Sequence, residues 1–188
     1  KLLGRALAMR EACRLTTSPK DNPGAALGGM MAAMVRAGRD KVTLLTSPAL
    51  NSFGLWVEQL LAESTGKEGT GVVPVAGEPL AAPVAYGTDR VFVCLRLKGD
   101  RNASLDRTVI ALQRAGHPVF RLNLMDRYDL GGEFFRWEFA TAVAGHVLNR
   151  EMPVQQDRLR PRQDAVVAVQ VLPPRLHQAD LGVREVVY

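Results

Sequence analysis

Residues 90–97 read Arg-Val-Phe-Val-Cys-Leu-Arg-Leu, a run that is apolar at both odd and even positions. A strand with apolar side chains on both faces has to be covered from both sides. That is the situation of a parallel sheet held between layers of helices. Shorter runs of the same kind recur at Lys41-Val-Thr-Leu-Leu-Thr46, Val72-Val-Pro-Val75 and Pro118-Val-Phe-Arg-Leu-Asn-Leu124. The stretches between them carry helical periodicity. Strands alternating with helices predict an α/β chain, a three-layer α/β/α sandwich with a mainly parallel sheet. Pro74 lacks a ladder N–H, so its strand is expected at an edge.

The helices have readable ends. Residues 1–14 place Leu2, Leu3, Ala6, Leu7 and Met9 in an amphipathic pattern, and residues 15–22 form a linker. Asn22 and Pro23 supply an N-cap and a first helical position, opening a helix that stops at Gly38. Its Met30, Met31 and Met34 read as close-packed core. A third helix begins at Ser52, is expected to bury Leu55, Trp56, Leu60 and Leu61, and has Gly66 as its C-cap. Residues 67–71 form a glycine-punctuated turn, without the Walker pattern and after a helix instead of a strand. Residues 77–83 read as an irregular loop and residues 98–102 as a polar turn. A helix over 105–115 should turn Leu105, Val109, Ile110 and Leu112 inward. After a turn at 129–132, a last helix over 133–149 is built on Phe134, Trp137, Phe139, Val143 and Val147.

Several function classes are excluded at this stage. The net charge of +5 is scattered among acids, with no basic helix face and no aromatic-basic interleaving, so no nucleic-acid partner is expected. No apolar run reaches the roughly 18 residues of a membrane span, and there is no secretory signal. Cys13 and Cys94 form no CxxC and predict buried free thiols in a reducing cytoplasm. His117, His146 and His177 share no short motif with another ligand type, so each is read as structural and no metal is expected. No G-x-G-x-x-G follows a strand, so no nicotinamide or other cofactor is expected.

Two places carry chemistry. Thr46, Ser47 and Ser52 lie in a strand-to-helix turn, where hydroxyls and free amides could hold an anion or simply cap the helix. Gln59 and Glu63 are four residues apart and so project from one helix face, an amide beside a carboxylate. On spacing alone that pair is an ordinary solvated stripe, with Glu63 matched to Lys67 at i,i+4.

The stretch Glu58-Gln-Leu-Leu-Ala-Glu-Ser-Thr-Gly-Lys67, then Gly71-Val-Val-Pro-Val and Gly77-Glu-Pro79, resembles the second sugar-isomerase domain of the glucose-6-phosphate isomerase family. The similarity is greatest to the version fused behind transaldolase in some bacteria. A second block, residues 129–145, extends it, and the resemblance covers about residues 1–149. It implies that Glu63 moves the substrate proton, that Gln59 contacts the substrate phosphate, and that the domain works with a preceding sugar-isomerase domain, a fused transaldolase and a second copy as a homodimer. It implies aldose–ketose isomerisation of glucose 6-phosphate and fructose 6-phosphate through an enediol. The alternative is a sugar-phosphate-binding or regulatory domain without catalysis, or an inactive fragment.

The pattern departs from the family in three places. Residues 80–86 hold no histidine to open the sugar ring. The Gly-Gly-Arg motif and the Ser/Thr phosphate cradle of the first domain are absent, so by the resemblance they are expected upstream and the chain is read as a fragment of a longer protein. After Asn149 the expected Asn-Pro-Phe-Asp-Gln is replaced by a lysine-free stretch with Pro153, Pro161, Pro173 and Pro174. Residues 150–188 are therefore read as a divergent tail, disordered or translated out of frame.

Overall fold

Val91, Val93, Leu95 and Leu97 point into one core while Phe92 and Cys94, the alternate residues of the same strand, point into another. A strand buried on both faces thus divides the molecule into two apolar compartments. The computed structural model describes residues 1–65 and 71–149. Gly66, Lys67 and most of the glycine-punctuated turn lie outside the described residues, as do His177 and the whole of the tail.

The elements follow in the order α1 (Leu2–Ala12), α2 (Pro23–Arg36), β1 (Lys41–Thr46), α3 (Asn51–Thr65), β2 (Val73–Val75), β3 (Arg90–Leu97), α4 (Ala103–Arg114), β4 (Val119–Leu124) and α5 (Leu130–Asn149). The four strands form one sheet in the order β2-β1-β3-β4. All pairs are parallel, with Lys41 opposite Val73 and Arg90, and Phe92 opposite Val119. The expected α/β sandwich is the observed fold. β2 is an edge strand, as Pro74 requires, and β4 is the other edge.

The larger core joins the sheet to α2, α3 and α5 through Leu27, Met31, Val57, Leu61 and Trp137. The smaller one joins the opposite face to α4 through Leu105, Val109 and Leu112. Helices α2 and α5 approach so closely that a Cβ on Gly28 would collide with the carbonyl oxygen of Ala140. Asn22 caps α2 as expected, its Oδ1 accepting the Ala25 N–H at 2.9 Å.

Some expectations about which residues are buried are corrected. Ile110 of α4 is 45% exposed, because Leu105, Val109 and Leu112 already fill the stripe that faces the sheet. Leu55 is 56% exposed, since α3 buries Phe53, Val57, Leu61 and Thr65, a row at four-residue spacing. Phe134 lies at the surface and α1 buries none of its residues; Leu2, Leu3 and Leu7 remain exposed. Helix α1 instead lies over the start of α5, where a Cβ on Gly131 would strike the Leu2 carbonyl oxygen. Those glycines belong to the helix and do not form the expected turn; α5 begins at Leu130.

Among the described residues an ion pair is buried on α5. Glu133 and Arg136, one turn apart on α5, approach to 3.4 Å with little exposure. Burial pushes the Glu133 carboxyl above its usual range, and the Arg136 charge only partly opposes this.

Candidate functional site

In a parallel sheet the crevice for ligands opens at the carboxyl ends of the strands, where the connections leave in opposite directions. From β1 the chain crosses to β2 on one side, and β3 lies on the other, so the switch falls between β1 and β3. The residues at that point are Thr46 and Ser47, leaving β1, and residues 98–102, leaving β3.

Ser47 is fully buried. Its hydroxyl accepts the Leu97 N–H at 2.8 Å and donates to Asn102 Oδ1 at 2.6 Å, while Asn102 Nδ2 donates to the Leu97 carbonyl at 2.7 Å. The hydroxyl is thus consumed in a latch between the exits of β1 and β3. It makes no capping hydrogen bond to the helix. Ser47→Ala is expected to lower stability by about 1–3 kcal/mol, because the Leu97 N–H and the Asn102 oxygen lose their buried partner. A urea titration followed by circular dichroism checks this: the midpoint should fall at constant slope.

Thr46 donates to Asn51 Oδ1 at 2.8 Å. The Ala49 N–H, at the entry to α3, donates to Asp100 Oδ2 at 2.8 Å, and the Arg101 N–H donates to the other oxygen of the same carboxylate. These two N–H groups hold the Asp100 carboxyl below its usual range. The anion-attracting position therefore contains the chain's own carboxylate. Ser52 lies exposed on the first turn of α3. The Asp100 contact was not legible beforehand; the signal was Gly99-Asp-Arg-Asn102, a turn directly after a buried strand, with Gly99 at a φ of 80°.

The second group lies further along α3. Gln59 Nε2 donates to Glu63 Oε1 at 3.1 Å, and both side chains face solvent. At a rise of about 1.5 Å per residue they sit roughly 12 and 18 Å along the helix from Asn51. Thr46 and Ser47 are at the crevice; Gln59 and Glu63 are not. The fold does not gather the four into one site within the described residues. Trp56, three residues before Gln59 on α3, packs against Phe53 at 5.3 Å and edge-on to Phe134 at 4.6 Å between ring centres. This aromatic triad, from the ends of two helices, was not foreseen because Phe134 was expected in the core.

Glu78, in the loop after β2, is held by Arg90 Nη1 at 2.6 Å, and the same nitrogen donates to Thr43 Oγ1 at 2.9 Å. Cys13 and Cys94 are buried and unbridged. Burial pushes the Cys94 thiol up to about 12 and raises Cys13 as well, so both stay protonated and inert near neutral pH. His117 is half-buried, edge-on to Tyr86 and Phe92, and His146 is half-buried within α5. Among the described residues no three His, Cys, Asp or Glu side chains gather as a metal site. Among them, too, no helix is long and apolar enough to cross a membrane.

No protein-family profile matches the chain, and no curated protein matches it.

Proposed function

We propose that this chain is the second sugar-isomerase half of a cytoplasmic isomerase that interconverts glucose 6-phosphate and fructose 6-phosphate. The observation that carries the reading is the Gln59–Glu63 pair, an amide fixing a carboxylate at 3.1 Å on an open helix face. The α/β/α fold and the resemblance over residues 58–79 support it. A preceding sugar-isomerase domain supplies the Gly-Gly-Arg motif and the phosphate cradle that this chain lacks, and covers the solvent side of the pair. A fused transaldolase and a homodimer belong to the same proposal.

In this mechanism the Glu63 carboxylate takes the proton from C2 of the open-chain aldose. The C2–H electron pair forms the C1–C2 double bond, and the C1 carbonyl oxygen takes a proton, giving the enediol. Glu63 then delivers its proton to C1 while the C2 hydroxyl loses one, and the ketose results. One carboxylate serves both carbons because they are adjacent. Gln59 spends one N–H on Glu63; the second N–H of its Nε2 is directed to a phosphate oxygen. The route needs no metal or cofactor.

The exposure of the pair favours one competing reading, a sugar-phosphate-binding module without catalysis. A coupled assay of fructose 6-phosphate conversion, run on the chain joined to a first sugar-isomerase domain and paired with a calorimetric titration, separates them. Turnover supports the isomerase, binding without turnover supports the module, and neither overturns both.

A further inference from the structure

The opposite end of the sheet carries a cleft that the isomerase reading does not use. It lies at the amino ends of the strands and has a volume of about 570 Å³. Three separate connections converge on it. Arg39 comes from the link between α2 and β1, Pro83, Val84 and Tyr86 from the loop between β2 and β3, and Gly116 and His117 from the turn between α4 and β4.

The walls are braced against one another. His117 Nε2 lies 3.3 Å from the Pro83 carbonyl oxygen. A carbonyl only accepts, so in this contact Nε2 carries the hydrogen. The Tyr86 hydroxyl accepts the Ala81 N–H at 3.0 Å, and its ring packs edge-on against Phe92 at 5.0 Å. Arg39 Nη1 donates to the Arg90 carbonyl at 3.1 Å, which takes one of the five N–H donors of the guanidinium. The shape is therefore set before any ligand arrives.

Its chemistry is two-sided. Pro83 and Val84 form an apolar lip, and Val84 is 93% exposed. Arg39 supplies positive charge beside it. Of the neighbouring acids, Asp40 and Asp89 both pair with Lys41 Nζ at 2.9 Å, and neither is ion-paired to Arg39 among the described residues. An apolar surface next to a guanidinium recognises a small molecule with an apolar body and a carboxylate head.

We infer that this cleft binds small amphipathic carboxylates, with the apolar body on Pro83 and Val84 and the carboxylate on Arg39. The test is an NMR titration of the ¹⁵N-labelled chain with sodium benzoate and with benzyl alcohol, its uncharged counterpart. Benzoate is expected to give saturable shifts at the amides of Arg39, Thr88, Gly116 and His117, with affinity at least about tenfold lower in Arg39→Gln. Val84→Asp should weaken benzoate similarly; its side chain makes so little contact that the fold is retained. Equal binding of benzyl alcohol, shifts centred elsewhere, no saturation by about 20 mM, or unchanged affinity in Val84→Asp each overturns the inference.

Discussion

If the proposed isomerase function holds, Glu63→Gln, made in the chain joined to a first sugar-isomerase domain, is expected to lower kcat/KM for fructose 6-phosphate by roughly 10²–10⁴-fold, the usual contribution of a positioned general base. The substitution keeps the shape of the side chain and its hydrogen bond to Gln59, but an amide has no basic oxygen with which to take a proton from carbon. Because Glu63 is exposed on α3 and its charge is not buried, thermal unfolding should move by less than about 0.5 kcal/mol. The measurement is the coupled assay beside a melting curve of the same sample. Activity within tenfold of wild type would remove Glu63 from the mechanism, whatever else the protein does. Loss of activity with an unchanged melt separates a chemical role from a structural one.

Trp137→Ala is expected to destabilise the fold by about 3–5 kcal/mol, a large part of the 5–15 kcal/mol that holds a typical domain together. Trp137 is fully buried and belongs to the core shared by α2, α3, α5 and one face of the sheet. Its removal leaves a void that cannot close easily, because α2 and α5 are already in contact at Gly28, which faces the Ala140 carbonyl oxygen and the Val143 side chain. The melting temperature should fall by roughly 10 °C or more. Trp137→Phe keeps most of the apolar volume and should lose less than half as much. Equal losses in the two variants would show that ring volume is not what the site requires.

The fold was legible to a large extent because its strands announce themselves. Residues 90–97 could only be a central strand, and Pro74 could only sit at an edge. What misled was the use of apolar residues as a guide to burial. Leu55, Ile110 and Phe134 all read as core and all lie at the surface. Each neighbours a residue that does face inward, and a helix stripe has room for one row, so the second apolar residue is left outside. Gly131 and Gly132 misled for a different reason. Glycine marks turns, but it also marks places where two backbones touch, and here α1 crosses α5. The Gln59–Glu63 pair was readable because four-residue spacing fixes which side chains meet. Ser47 was not, since its partners Leu97 and Asn102 are distant in sequence and only strand pairing brings them near.

The two borders of the sheet are unlike. At one side β2 is three residues long and contains Pro74, which offers no N–H to a further strand. At the other, β4 runs for six residues without a proline, and among the described residues no strand pairs with its outer side. The backbone groups along that side are a template for main-chain pairing, so any extension of the sheet, by a following segment or by another molecule, is directed to β4 alone. Among the described residues the same asymmetry places the edge-pairing hazard on β4. A charged or proline substitution on the outer side of β4 would be the economical way to keep concentrated solutions clear.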